Sequence, residues 1–550
     1  MSIYSRLKGS SPIVIYATAA ELPISPVSAA GQKAYVTETN RLYVSNGSGW
    51  YSVALINTSP TITSGGDAAY ELASDGTPTV VTLDANDPEG IPITWNYAVT
   101  AGSLGSTATV SQSNNVFTIT PSTLGADAGD FTLTFTASDG VNLATSASEF
   151  SLSFGPDWSA ATEQAKIQAS DTEIEAFFGR SISISGDGNT AIVGAERVDT
   201  GGTDAGAAYI FKRSGTTWSQ QAKIQSSDIE AVDYFGCAVA ISSDGNTVVA
   251  GARYESTSGA NAGAAYIFTR SGTTWSQQAK ILSSDIAAQD YFGGSGVSMS
   301  NDGNTVIVSA VYESAVGAAY IFTRSGTTWS QQAKIVASDA QSGDQFSRQV
   351  SMAGDGNTVI VGAFLEDTGG TSTGAAYIFT KSGTTWSQQA KIQSSDIEAV
   401  DHFGIAVAMS NDGNTVVVGA QGEDTGGANA GAAYIFTRSG TTWSQQAKIV
   451  ASDAESPDTF GTSASISGDG NTAIVGADRE SGDAGAAYIF KRSGTNWSQQ
   501  AKIVASDEAG GDDFGNAVSM SNDGSTVIVA ADNEDTGGKH AGAVYIFVPG

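Results

Sequence analysis

Two histidines, one cysteine and 56 carboxylates are the side chains of this chain that could carry out chemistry. His402 and His540 lie far apart in sequence, each in a loop that varies between otherwise similar segments. General acid–base work or zinc ligation needs convergent groups, and these do not converge. Cys237 alone cannot form an intrachain disulfide, and its place on an apolar strand reads as a small core residue. The carboxylates recur in pairs, among them Glu366-Asp367, Glu423-Asp424 and Glu534-Asp535. A carboxylate pair is the equipment of glycoside hydrolysis. Recurrence at one place in successive repeats points instead to architecture, so the chain reads as a binding or structural protein and not an enzyme.

The balance of charge narrows the partners. Net charge is −31 and the pI is near 4.2, which opposes binding to phosphate backbones and keeps an exposed protein soluble. No apolar run is long enough to span a bilayer. Arg6 and Lys8 before the short apolar run at 12–20 weakly imitate a secretion signal, but Ile13, Val14, Ile15 and Tyr16 fit the first strand of a domain better.

The elements that position these residues are repeats. WSQQAKI begins at Trp218, Trp275, Trp329, Trp386, Trp443 and Trp497, and the variant WSAATEQAKI begins at Trp158. Phe-Gly recurs at Phe178, Phe235, Phe292, Phe403, Phe460 and Phe514, with Phe346-Ser347 departing. Each unit reads as four short strands. Strand A follows Phe-Gly. Strand B is of the Thr-Val-Ile-Val-Gly-Ala type, after an Asp-Gly turn. Strand C carries Ala-Ala-Tyr-Ile-Phe, and strand D is WSQQAKI. In the third unit an extra residue near Gly293-Gly294 predicts a glycine bulge that restores the phase of Val297 and Met299. Units of this kind predict β-propeller blades. The first repeat has a strand D with no A, B or C before it, and the last has A, B and C with no D. The segment 158–167 therefore supplies the outer strand of the last blade, and seven blades close in a ring over residues 156–550.

Phe-Gly together with the Val-Gly-Ala strand end resembles FG-GAP repeats, the blade type of integrin α-chain propellers. Calcium-binding members of that family carry several carboxylates around the Asp-Gly turn. Here Ser183–Ala191 keeps only Asp187, too few oxygens for calcium. The Ser-Asn-Asp-Gly-Asn-Thr turns also faintly resemble sialidase Asp-boxes but lack the closing aromatic residue.

The remainder is all-β as well. Lys33–Leu55 reads as a three-strand meander with turns at Thr39-Asn40 and 46–49, in an N-terminal module of residues 1–56. It resembles N-terminal modules of virion structural and fibre proteins of marine bacteriophages. Alternating runs around Thr79–Leu83, Ile93–Val99, Val116–Ile119, Phe131–Ala137 and Phe150–Phe154 predict an immunoglobulin-like or cadherin-like sandwich over 57–155. Its segments 84–90 and 136–140 resemble cadherin interstrand loops. Calcium held by Asp84, Asp87, Glu89 and Asp139 stands beside the plainer, favoured reading of two polar turns, and no other cofactor is expected.

Strand order assigns the propeller loops to two faces. The D–A and B–C loops hold 35 acidic residues and four basic ones, whereas the A–B and C–D turns are near neutral. The chain enters and leaves the ring on the turn side, which leaves the acidic face free. The expectation is a phage fibre or appendage protein. Its N-terminal region would meet other virion proteins, and its acidic loops, represented by Glu366, Asp367, Glu423, Asp424, Glu534 and Asp535, would meet a host-surface protein or glycan. A secreted or surface bacterial adhesin and a virion decoration protein without receptor role remain as alternatives.

Overall fold

The computed structural model describes residues 13–23, 32–39, 41–53, 57–73, 76–88, 90–123, 127, 129–152 and 155–550. The chain forms two compact units, 1–153 and 154–550.

In the first unit Lys33–Val36, Arg41–Ser45 and Trp50–Val53 form the expected antiparallel meander, and Val14–Tyr16 joins it in parallel. Two further sheets make a sandwich. One orders Ala108–Ser113, Val116–Pro121 and Thr79–Thr82. The other orders Ala69–Glu71, Leu143–Leu152, Gly129–Ser138 and Thr94–Gly102. Alternate residues of the long strands are buried, and Phe117 of one sheet meets Phe135 of the other at 4.7 Å. Asp84–Asn86, expected as a loop, is a short strand paired with Thr61–Ser64. Phe154 and Leu55, which close two of the expected segments, lie outside the described residues.

The second unit is a seven-bladed β-propeller. Six blades are consecutive four-stranded meanders, from Phe178–Ile224 in blade 1 to Ser463–Ile503 in blade 6. In blade 7, strands A, B and C are Ala517–Met520, Val527–Ala531 and Ala543–Val548, and strand D is Thr162–Ile167 from the beginning of the unit. It runs antiparallel to strand C, pairing Thr162 with Val548 and Ile167 with Val544. The predicted closure is thus the observed one. In blade 3 Val297 faces Val308 and Met299 faces Val306, so the extra residue at Gly293-Gly294 is absorbed before the ladder begins.

Each repeated residue has a place in the ring. The Phe of Phe-Gly is fully buried and packs against the Tyr and Phe of its own strand C, as Phe235 does with Tyr266 (tilted, 5.7 Å) and Phe268 (edge-on, 6.1 Å). The following glycine sits where one blade presses on the next. A Cβ on Gly251 of blade 2 would lie 1.9 Å from the carbonyl oxygen of Gly293 in blade 3. The Gly of Val-Gly-Ala and the Gly of Phe-Gly are therefore the two sides of one interblade contact. At the outer rim Trp275 Nε1 donates to Gln221 of the preceding blade (3.0 Å), and the pattern continues to Trp497 and Gln446 (2.9 Å). Trp218 donates to Gln164 of the closing strand (3.3 Å). Trp158, displaced by the longer variant segment, is fully buried and donates to the Gly524 carbonyl in an A–B turn (3.0 Å).

The inner ends of the A–B turns form a closed ring. Backbone N–H groups of residues 186, 243, 301, 354, 411, 468 and 522 each donate to the carbonyl of the next, at 2.8–3.1 Å, and residue 522 returns to 186. The side chains of Asn301, Asn411 and Asn522 lie against Gly354, Gly468 and Gly186, where a Cβ would come within 2.4 Å of them. The strand A residues of all seven blades line an axial channel of about 400 Å³, narrowed by this ring at the turn end.

Candidate functional site on the loop face

The loop face is built on lysine. In every strand D the Lys of WSQQAKI reaches the D–A loop that enters its own blade. Lys391 pairs with Asp339 (2.7 Å) and with Glu366 of its own B–C loop (2.9 Å), and lies over the Tyr377 ring. Lys448 takes Asp396 and Glu423, and Lys166 takes Asp507 and Glu534. The lysine holds these aspartates, such as Asp339 and Asp396, below the usual carboxylate range against the opposing effect of burial. Glu366, Glu423 and Glu534 are 1%, 7% and 3% exposed. These three glutamates are therefore not partner-facing, contrary to the sequence expectation. Burial beside a cation gives them a structural role, fastening the two loops of a blade together. Their neighbours Asp367, Asp424 and Asp535 are exposed, and each accepts a backbone N–H of its own loop, from Ser372, Asn429 and His540. The acidic excess of this face is also smaller than its loops imply, because seven strand D lysines point into it.

The Asp-Gly turns opposite are self-contained. Asp302 accepts from Ser300 Oγ (2.6 Å), Asn304 N (2.9 Å) and Asn304 Nδ2 (2.8 Å). The C–D turn arginines brace the same turns: Arg270 donates twice to Asn246 Oδ1 and covers Trp275. In the sandwich, Asp84 accepts from Ser64 (2.9 Å), Asp87 from the Ile91 N–H (2.9 Å), and Asp139 from the N–H groups of Val141 and Asn142 (2.7 and 2.6 Å). Glu89 lies outside the described residues. Among the described residues these carboxylates do not gather into a metal-ligand group.

What the loop face does gather is a ring of unlike side chains around the channel mouth. The residue before each buried Phe has left-handed backbone, with φ between 52° and 58°: Phe177, Tyr234, Tyr291, Gln345, His402, Thr459 and Asp513. In several blades its N–H is tied to the preceding B–C loop, as Tyr234 is to the Asp204 carbonyl (3.2 Å). Such backbone costs of order 1 kcal/mol and persists where surroundings fix it. The residue after each strand B completes the ring: Glu196, Arg253, Val311, Phe364, Gln421, Asp478 and Asp532. Charges collect on one side. Glu196 meets Arg253 at 3.1 Å and Arg180 at 3.6 Å, and Arg180 meets Asp532 at 3.6 Å. Burial, reinforced by Glu196 and Asp478 against the pull of Arg180, pushes Asp532 up to about 6. Burial together with Asp532 and Asp478 does the same to Asp513. Aromatic rings form an arc on the next sector: Tyr234–Tyr254 at 4.8 Å, Tyr254–Tyr291 at 5.3 Å and Tyr291–Tyr312 at 5.2 Å. Arg253 lies over Tyr234 and Tyr254.

Sequence reasoning missed these mouth residues because it grouped loops by charge. Aligning the seven repeats on their Phe exposes them as positions where the repeats differ, beside a Phe that all seven keep.

The seven repeats also match a known family. Segments 161–211, 218–268, 275–322, 329–379, 386–436, 443–490 and 497–547 each fit the FG-GAP repeat. The chain belongs to the FG-GAP repeat family. No curated protein is significantly similar to it in sequence. Among solved structures, this FG-GAP propeller is similar to a periplasmic gluconolactonase of Pseudomonas aeruginosa (13% identity, TM-score 0.43, covering 68% of this chain and 93% of that one). It is likewise similar to a GH74 xyloglucanase of Xanthomonas campestris (13%, 0.42, 67% and 54%) and to AofleA of Arthrobotrys oligospora (13%, 0.36, 64% and 94%). Likeness at this level carries nothing about activity.

Proposed function

We propose that this FG-GAP protein is a non-enzymatic attachment protein of a phage particle, a fibre or appendage component whose propeller offers its loop face to the host surface. The observation that carries this reading is the contrast between the two faces. Turn-side and strand residues repeat almost unchanged in seven blades, while the two mouth-ring positions carry a different pair of residues in each blade. A rigid scaffold that holds unlike side chains on one face is how loop-borne recognition sites are built. The chain also enters the propeller on the turn side, where Gly155 O accepts from Lys491 at 2.9 Å, so the loop face is not the one joined to preceding residues. The resemblance of residues 1–56 to phage virion modules supports the particle location, with that region meeting other virion proteins. The resemblance of 57–155 to cadherin-like sandwiches suits a spacer.

Antibody labelling of intact particles and of host cells tests the reading. Label on the particle surface, together with binding of a purified 156–550 chain to host cells, is expected. Label confined to bacterial surfaces would replace the phage reading with that of a bacterial adhesin. Particle label without cell binding would leave a decoration protein.

A further inference from the structure

One arginine at the channel mouth lacks what its neighbours have. Arg180 and Arg253 both reach carboxylates, but among the described residues Arg348 has no carboxylate within ion-pair distance. Among the described residues its one polar contact is a long one, 3.5 Å from Nη1 to Ser295 Oγ, and it lies 6.0 Å from the Phe364 ring centre. Burial and the nearby Arg180 push its pKa down. A largely desolvated guanidinium without an anion is costly, and its planar fork of donors matches a carboxylate or sulfate.

Arg348 also lines a groove of about 1080 Å³ between the loops of blades 2, 3 and 4. Blade 3 makes that space. Ahead of its strand A stands Gly294 where blades 1 and 4 place Arg180 and Arg348. Its B–C connection from Ala310 to Ala318 is shorter than that from Ala252 to Ala264 in blade 2. Tyr254, Tyr291 and Tyr312 stand along the groove, with Tyr312 48% exposed. The Lys334–Asp285–Glu313 cluster supplies donors and acceptors at its outer edge. The size is at the upper end of small-ligand sites, roughly 300–1,000 Å³.

We infer that this groove binds an anionic saccharide, whose carboxylate or sulfate is received by Arg348 and whose sugar ring lies on the tyrosine wall. An aromatic wall offers an apolar face to the C–H side of a pyranose, while the mixed polar edge suits hydroxyl groups, each both donor and acceptor. An acidic peptide would satisfy Arg348 but would meet Asp285, Glu313 and Asp290 with its remaining charges. The inference deepens the attachment reading and depends on it only for where the saccharide is found.

Calorimetric titration of the full-length chain with a trigalacturonate, a sulfated galactan oligosaccharide and a neutral galactotriose tests it. One or both acidic sugars should bind, with the pair telling carboxylate from sulfate, and the neutral sugar at least ten-fold more weakly. Arg348→Gln should weaken binding ten-fold or more, Arg348→Lys less, and Tyr312→Ala by about ten-fold. Because Arg348→Gln removes an uncompensated buried charge, its melting temperature should equal or exceed that of the parent, which separates lost binding from lost fold. Equal binding of the neutral sugar, unchanged affinity in Arg348→Gln, preferential binding of an oligoglutamate, or no binding of either acidic sugar at millimolar concentration would each overturn the proposal. Host attachment that survives Arg348→Gln while saccharide binding is lost would leave the groove standing and show that attachment uses another surface.

Discussion

Gly251 and Gly272 show how differently one residue type serves this ring. Gly251 has ordinary backbone but no room, with the Gly293 carbonyl 1.9 Å from where its Cβ would be. Gly272 has open space around it but left-handed backbone at φ +62° in a C–D turn. Gly251→Ala should therefore force two blades apart and cost about 3 kcal/mol or more, whereas Gly272→Ala should cost about 1–2 kcal/mol from backbone strain alone. Denaturant unfolding of both variants checks the order. Two of the seven contacts depart from this pairing of glycines: Ser309 of blade 3 faces Ser347 of blade 4, and Ala530 of blade 7 faces Gly179 of blade 1. A second residue-scale expectation concerns Asp532. An aspartate in the unfolded chain titrates near 3.8, and in the fold Asp532 does so at about 6. The folded state thus keeps a proton that the unfolded state gives up. The associated stability is complete below about pH 4 and is lost as pH rises to 6. In thermal melts, Asp532→Asn should gain on the parent between pH 4 and 6 and run parallel above. A gap that stays constant across that range would show that Asp532 does not titrate there. The glycines were legible in the sequence because they recur. The raised aspartate was not, since it depends on burial at the mouth and on Glu196 and Asp478 arriving from other blades.

At the scale of the element, the recurrent unit is a strand D lysine with two loops fastened to it. Strand D alternates its functions: in WSQQAKI the Trp and the second Gln join neighbouring blades, the first Gln caps a D–A loop, as Gln220 does for the Ser170 N–H, and the Lys holds both loops. Lys391→Met should leave Glu366 buried without its cation and cost about 2 kcal/mol, while Asp367→Asn, at an exposed position, should cost less than about 1 kcal/mol. Urea unfolding of residues 156–550 distinguishes them, and equal costs would mean that the lysine does not hold the loop. The four strands and their order could be read from the repeats, whereas the extra residue at Gly293-Gly294 falls in the turn before strand A and not in a bulge of the ladder. The fate of the glutamates could not. Their loops look alike in sequence to solvent-facing acidic loops, and only the rise of strand D towards that face brings seven lysines among them. The same limit hid Arg348, whose importance lies in a carboxylate that is not beside it.

The whole propeller depends on a strand borrowed from its own beginning. That closure was readable from an arithmetic of strands, because one end of the repeat array has a surplus strand D and the other lacks one. A chain of residues 168–550 should melt on the order of 10 °C or more below one of residues 156–550 and should self-associate through the bared edge of blade 7. A synthetic peptide of residues 156–168 should restore part of the loss, and unchanged melting of the shorter chain would mean that the ring holds without its closing strand. The direction of that strand has a mechanical consequence. Thr162 lies at the turn side and Ile167 at the loop side. A pull on the chain ahead of Gly155 enters the closing strand at its Thr162 end, and the part of it that lies along the strand meets the whole ladder at once. Its hydrogen bonds to Ala543–Val548 are then loaded together, in shear, instead of being opened one at a time like a zip, and Trp158 is drawn against the Asp523-Gly524 turn that its indole already grips. Under tension the seam that closes the ring is engaged along its whole length.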